Sequence, residues 1–161
     1  MARDAISRLY DVQKNSITLT CEGDKGSYRP GVITFHAKKG RSIDLDKMRE
    51  SIAASRLSGG TNMKMDYLEI TAAGDVQLDD KKVLFTVFGT GQKFDLSEDP
   101  GAKGVWQKLR DAQARGEKIT CVTGRVQGWS GVFPAVMKGL AKAGDQPRTQ
   151  LNVTGFEIAK K

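Results

Sequence analysis

Histidine and cysteine are scarce: one histidine, His36, and two cysteines, Cys21 and Cys121, among 161 residues. An ordinary zinc site needs three or four His, Cys or carboxylate ligands, two of them closely spaced, and that spacing is missing. A Cys–His nucleophilic pair would have to join His36 to one of the cysteines. Both cysteines, however, sit in alternating apolar stretches, residues 17–21 and 118–122, where a free thiol behaves as a small buried hydrophobe. Whether Cys21 and Cys121 bridge is open at this level; a bridge would point outside the cytoplasm. No apolar run approaches the roughly 18 to 20 residues that span a bilayer, and residues 1–15 lack the apolar core of a leader peptide. The expectation is a chain without a transmembrane segment. It is cytoplasmic by default, or extracytoplasmic if Met1 starts an already processed chain.

What is present is a globular composition with an uneven charge. Hydrophobic residues make up 39% and charged residues 28%, and aromatic and β-branched residues recur throughout, so the chain can build one domain or two very small ones. The formal charge is +7. Residues 1–100 carry 15 Lys/Arg against 15 Asp/Glu, whereas residues 101–161 carry 11 against 4. Any acidic partner should therefore meet the second part of the chain.

Periodicity predicts strands over 16–21 and 31–37, joined by the turn-forming residues 22–27. Asp44 is placed to cap a helix running to about Arg56, with Leu45, Met48, Ile52 and Leu57 on one stripe. Ser58-Gly59-Gly60 ends it. Further on, strands are expected over 67–78, 82–88 and 92–96, then a helix over 103–115 stopped by Gly116, then strands over 118–127 and 151–158. Between the last two, residues 133–143 read as a second amphipathic helix with Pro134 at its first position.

The stretch Ile17-Thr18-Leu19-Thr20-Cys21-Glu22-Gly23, with Val32-Ile33-Thr34-Phe35 and residues 44–52, resembles the heavy-metal-associated domain, a small ferredoxin-like fold that ferries copper or mercury. That family's Met-x-Cys-x-x-Cys loop is replaced here by Asp24-Lys25-Gly26-Ser27-Tyr28. The resemblance thus implies a degenerate scaffold without its soft-metal thiolates. The order strand, strand, strand, helix, strand, strand over 67–158 resembles the oligonucleotide/oligosaccharide-binding (OB) barrel. The glycines at 74, 89, 91, 124, 128 and 155 fit the tight coiling of a small barrel. The expected fold class is α+β: a βαβ-containing segment over 1–66 followed by an OB-like barrel with two helices over 67–161.

On the barrel reading, residues 128–150 form the loop between strands four and five, a usual ligand-binding loop of this fold. Arg125, Trp129, Lys138, Lys142 and Arg148 are the candidates for contact with a polyanion or an acidic partner, since rings stack on bases and cations meet phosphates. The other binding loop, Gln77-Leu78-Asp79-Asp80, is short and acidic and would repel phosphate. Gly89-Thr90-Gly91-Gln92-Lys93 lacks the helix and the Lys-Ser/Thr ending of a phosphate loop and reads as a hairpin turn. Met63, Met65 and His36 are the weak metal candidates, of the ligand types copper accepts. No catalytic residue and no cofactor is expected. Three functions follow. The first is a non-catalytic accessory protein acting through protein contacts in a larger assembly. The second is binding of single-stranded nucleic acid by the basic barrel, and the third is copper binding through Met and His.

Overall fold

The structure, a computed structural model, describes residues 2–21, 31–38, 40–45, 47–48, 51, 64–65, 67–79, 82–127, 131–132 and 149–160. The fold is mixed α+β, and the chain divides into two compact units, one within Met1–Met63 and one within Lys64–Val132 and Gly139–Lys161.

The first unit opens with helix α1 (Ala2–Tyr10), which the sequence reading did not anticipate. Its apolar content is thin, but Ile6 and Tyr10 lie one turn apart and both are buried. Asp4 near its start and Arg8 near its end suit the helix dipole. The helix ends at Asp11, whose φ of 50° is left-handed. There the Ser7 hydroxyl donates to the Val12 carbonyl at 2.7 Å and the Arg41 guanidinium donates to the Leu9 carbonyl at 3.2 Å, satisfying groups that the helix leaves over. A 3-10 turn, Lys14–Ser16, precedes strand β1 (Thr18–Cys21), so Ser16 is not in the strand as expected. Strand β2 (Gly31–Thr34) pairs with β1 antiparallel, Thr18 opposite Thr34 and Cys21 opposite Gly31. Asp44 caps a helical turn as expected: its carboxylate accepts from the Lys47 amide at 3.0 Å, and its carbonyl accepts from the Met48 amide at 3.0 Å. The rest of that expected helix, Ile52 and Leu57 included, lies outside the described residues. Ile6, Tyr10, Val12, Ile17 and Met48 form this unit's buried core.

The second unit contains a short ribbon, β3 (Lys64–Met65) paired with β8 (Gly131–Val132), and a five-stranded sheet. The sheet strands are β4 (Glu69–Asp79), β5 (Lys82–Val87), β6 (Lys93–Glu98), β7 (Ile119–Val126) and β9 (Thr149–Ile158). They run β4-β5-β6-β9-β7 and close back onto β4. Every contact is antiparallel except β6 with β9, which is parallel because helix α2 (Val105–Ala114) and β7 intervene in sequence. Alternation turns Val83, Phe85, Phe94, Leu96, Val122, Val126, Leu151 and Val153 inward, all buried, and α2 adds Leu109 and Ala112. Two glycines let backbones approach: a Cβ at Gly74 would lie 2.4 Å from the Phe85 ring, and one at Gly124 2.6 Å from Leu151. Gly116, with φ of 71°, ends α2, and the Glu117 amide reaches back to the Ala112 carbonyl at 3.0 Å.

Several boundaries differ from expectation. β2 stops at Thr34, and β4 begins at Glu69 and continues through Gln77 and Leu78 to Asp79, which stands opposite Lys82. Residues 80–81 lie outside the described residues. Phe88 leaves β5 for the turn, and β6 continues to Glu98. The expected helix over 133–143 lies outside the described residues.

Candidate functional site

Arg125 is the one member of the five proposed contact residues that the structure describes; Trp129, Lys138, Lys142 and Arg148 lie outside the described residues. Gly124 and Val126 point into the core, so alternation turns Arg125 outward. Ladder pairing then sets it beside Glu69 of β4 on one side and Asn152 of β9 on the other. Ser97 of β6 lies opposite Asn152, which makes Glu69, Arg125, Asn152 and Ser97 a single row across four adjacent strands.

The row is tied together. The Arg125 guanidinium lies over the Tyr67 ring, 4.6 Å from its centroid, and its Nε is 3.5 Å from Glu69 Oε2. The Thr154 hydroxyl donates to the same Glu69 oxygen at 3.2 Å. Ser97 donates to the Asn152 side-chain oxygen at 2.6 Å, and the Thr71 and Thr123 hydroxyls lie 3.0 Å apart in the next row. Tyr67 keeps 43% of its surface exposed. An arginine fixed against a carboxylate and a tyrosine face has lost much of its rotamer freedom before any partner arrives, and Tyr and Arg are the residue types that anchor protein interfaces. Tyr67, Glu69 and Thr154 were not singled out from sequence. The signal that could have found them is a strand register, which no local pattern contains.

Comparison with family models, with curated proteins and with solved structures finds no match.

His36 is exposed and lines an open hollow of about 590 Å³ with Ser7, Asp11, Val12, Gln13, Ser16 and Lys38. In that hollow Lys38 pairs with Asp11, and its hydrogen bond and charge hold the Asp11 carboxyl below the usual range. Met65 lies in β3, and Met63 lies outside the described residues. Among the described residues no three His, Cys, Asp or Glu side chains converge on a point that could hold a metal ion. Cys121 is a free, half-buried thiol, so it does not bridge to Cys21. Burial, and then the charge of Glu157, push its pKa up, which keeps it protonated at neutral pH. Gly89 and Gly91, with φ of 79° and 67°, belong to the β5–β6 hairpin turn, where the Gly91 amide donates to the Val87 carbonyl at 3.0 Å. Among the described residues no helix is long and apolar enough to cross a membrane.

On the outer face of β5 and β6, Lys82 reaches Asp95 at 3.9 Å. Tyr67 and Phe88 are the exposed large aromatics among the described residues, and neither lies within β5 or β6.

Proposed function

We propose that this protein is a non-catalytic accessory subunit that works through protein–protein contacts in a larger assembly, on a barrel of the OB type behind a degenerate metal-domain-like unit. The barrel assignment draws support from the strand order β4-β5-β6-β9-β7, with α2 between the third and fourth strands and the fifth inserted parallel to the third. The observation that carries the functional reading is the Tyr67–Arg125–Glu69 cluster, an exposed aromatic and a cation already held in place on the outside of the barrel. A stacking surface for bases needs open rings and free cations. Here Arg125 already occupies one face of the ring beside it, and Lys82 is matched by Asp95.

Nucleic-acid binding keeps one point in its favour, the excess of 11 Lys/Arg over 4 Asp/Glu in residues 101–161. Affinity for a fluorescent 20-nucleotide oligo(dT), followed across a KCl series, separates the two readings. Protein contact expects no saturable binding, or a log–log slope near zero. A protein neutralising six phosphates would give a slope of about −4, and a slope of that size would overturn the proposal.

A further inference from the structure

Much of the second unit's described positive charge lies at one end of the sheet. Lys103, Lys108, Arg110, Arg115, Lys118 and Lys160 are all exposed, and among the described residues Asp111, Glu117 and Glu157 are the acids that accompany them. Lys103 to Arg115 follow α2. The Lys118 carbonyl accepts from the Ala159 amide at 2.9 Å, which brings Lys118 beside Lys160 at the adjoining ends of β7 and β9. This is the opposite end of the barrel from Arg125 and Tyr67, since Ile119 pairs with Ile158 at one end of the β7–β9 ladder and Val126 with Leu151 at the other. Helix stability does not explain the pattern. Acids at its start and bases at its end stabilise a helix, yet the first turn of α2 holds no acid, Lys103 precedes it, and only Arg115, at the C-cap, stands where the dipole favours a base.

We infer that the solvent-facing side of α2, with Lys118 and Lys160, docks an acidic protein surface, so that the barrel has a second contact region at the pole opposite Tyr67–Arg125. The inference rests on the protein-contact reading and adds to it the location and chemistry of a partner. Charge complementarity names the occupant: six cations against three acids at this end of the barrel suit a partner rich in Asp and Glu. Nucleic acid fits this face less well. The Arg115 guanidinium is forked onto Glu117, with contacts of 3.1 and 3.0 Å, and Asp111 accepts from Gln107 at 2.8 Å in the middle of the exposed side. A continuous phosphate chain would meet both carboxylates, whereas a protein surface can set a hydroxyl or a lysine against each. Among the described residues no fully exposed aromatic stands on this side to stack a base; Trp106 is half-buried.

The test uses the full chain and two labelled probes of equal charge, a 20-residue poly-glutamate and the 20-nucleotide oligo(dT). Fluorescence anisotropy is read at fixed ionic strength, with amide chemical-shift mapping. Poly-glutamate should bind more tightly than oligo(dT) and shift amides of 103–118 and 160. The triple variant Lys108→Glu, Arg110→Glu, Lys118→Glu should weaken it at least tenfold, and the matching triple Gln variant by an intermediate factor. Unaltered melting temperatures show that the variants fold. Loss of no affinity in the Glu variant would overturn the docking surface while leaving the protein-contact reading in place. Tighter oligo(dT) binding that the same variant abolishes would overturn both.

Discussion

At Gly74 the barrel wall has no room for a methyl group. A Cβ there would meet both the Phe85 ring and the Thr86 carbonyl oxygen at 2.4 Å, and backbone cannot step aside as a side-chain tip can. Gly155 lies in the same sheet, but the nearest atom to a Cβ is 3.7 Å away, an ordinary contact. Gly74→Ala should therefore cost about 1–3 kcal/mol, and Gly155→Ala should stay within about 0.5 kcal/mol. Urea unfolding compares them, and equal losses would show that β4 and β5 do not pack this closely at Gly74. Residue identity alone marked both positions as barrel glycines, but which one is crowded depends on Phe85 standing opposite. Arg125 is similar: alternation makes it an outward cation, while Tyr67 and Glu69, which fix it, arrive from a strand far earlier in the chain.

Among the elements, α1 shows how a helix can be held from outside. Tyr10 stacks on Phe35 with centroids 5.5 Å apart, and its hydroxyl donates to the Asp44 carbonyl at 3.1 Å. Burial, and then the negative charge of Asp44, push its phenol up to about 12. An unfolded tyrosine releases its proton near pH 10. Between pH 10 and 12 the native state thus holds a proton the unfolded state has lost. This contribution is complete below pH 10 and declines towards pH 12, by at most about 1.4 kcal/mol per pH unit. Tyr10→Phe should abolish that slope while costing about 1 kcal/mol at neutral pH for the lost hydrogen bond. Urea midpoints at pH 8, 10 and 11 would check it, and a slope that persists in the variant would refute the assignment. The strands β4 to β7, β9 and helix α2 were legible from periodicity to within a few residues. Helix α1 was not, because Ile6 and Tyr10 make too narrow a stripe and its stability comes from Phe35, Arg41 and Asp44.

For the molecule as a whole, the two units present unequal defences against opening. Every barrel strand has a hydrogen-bonded neighbour on both sides, whereas β1 and β2 pair only with each other among the described residues. A two-stranded sheet is marginal by itself. Hydrogen exchange should accordingly release the β1–β2 amides orders of magnitude sooner than those of Val122, Leu151 and Val153; similar protection in both would contradict the description. Composition foretold that the positive charge gathers late in the chain, but not that Lys118 and Lys160 meet at one end of a barrel and Arg125 stands at the other, because closure and register depend on pairings between distant strands.

The parallel seat of β9 between β6 and β7 also sets an order of events in the cell. During synthesis β4 to β7 can assemble as they emerge from the ribosome, yet the sheet then ends in two bare rims, β6 and β7, each with unused amides and carbonyls. Only the last barrel strand made, residues 149–158, covers both at once. Until it emerges, the nascent chain exposes the rims at which sheets join their neighbours, so a ribosome stalled before residue 149 leaves a sticky, half-closed sheet.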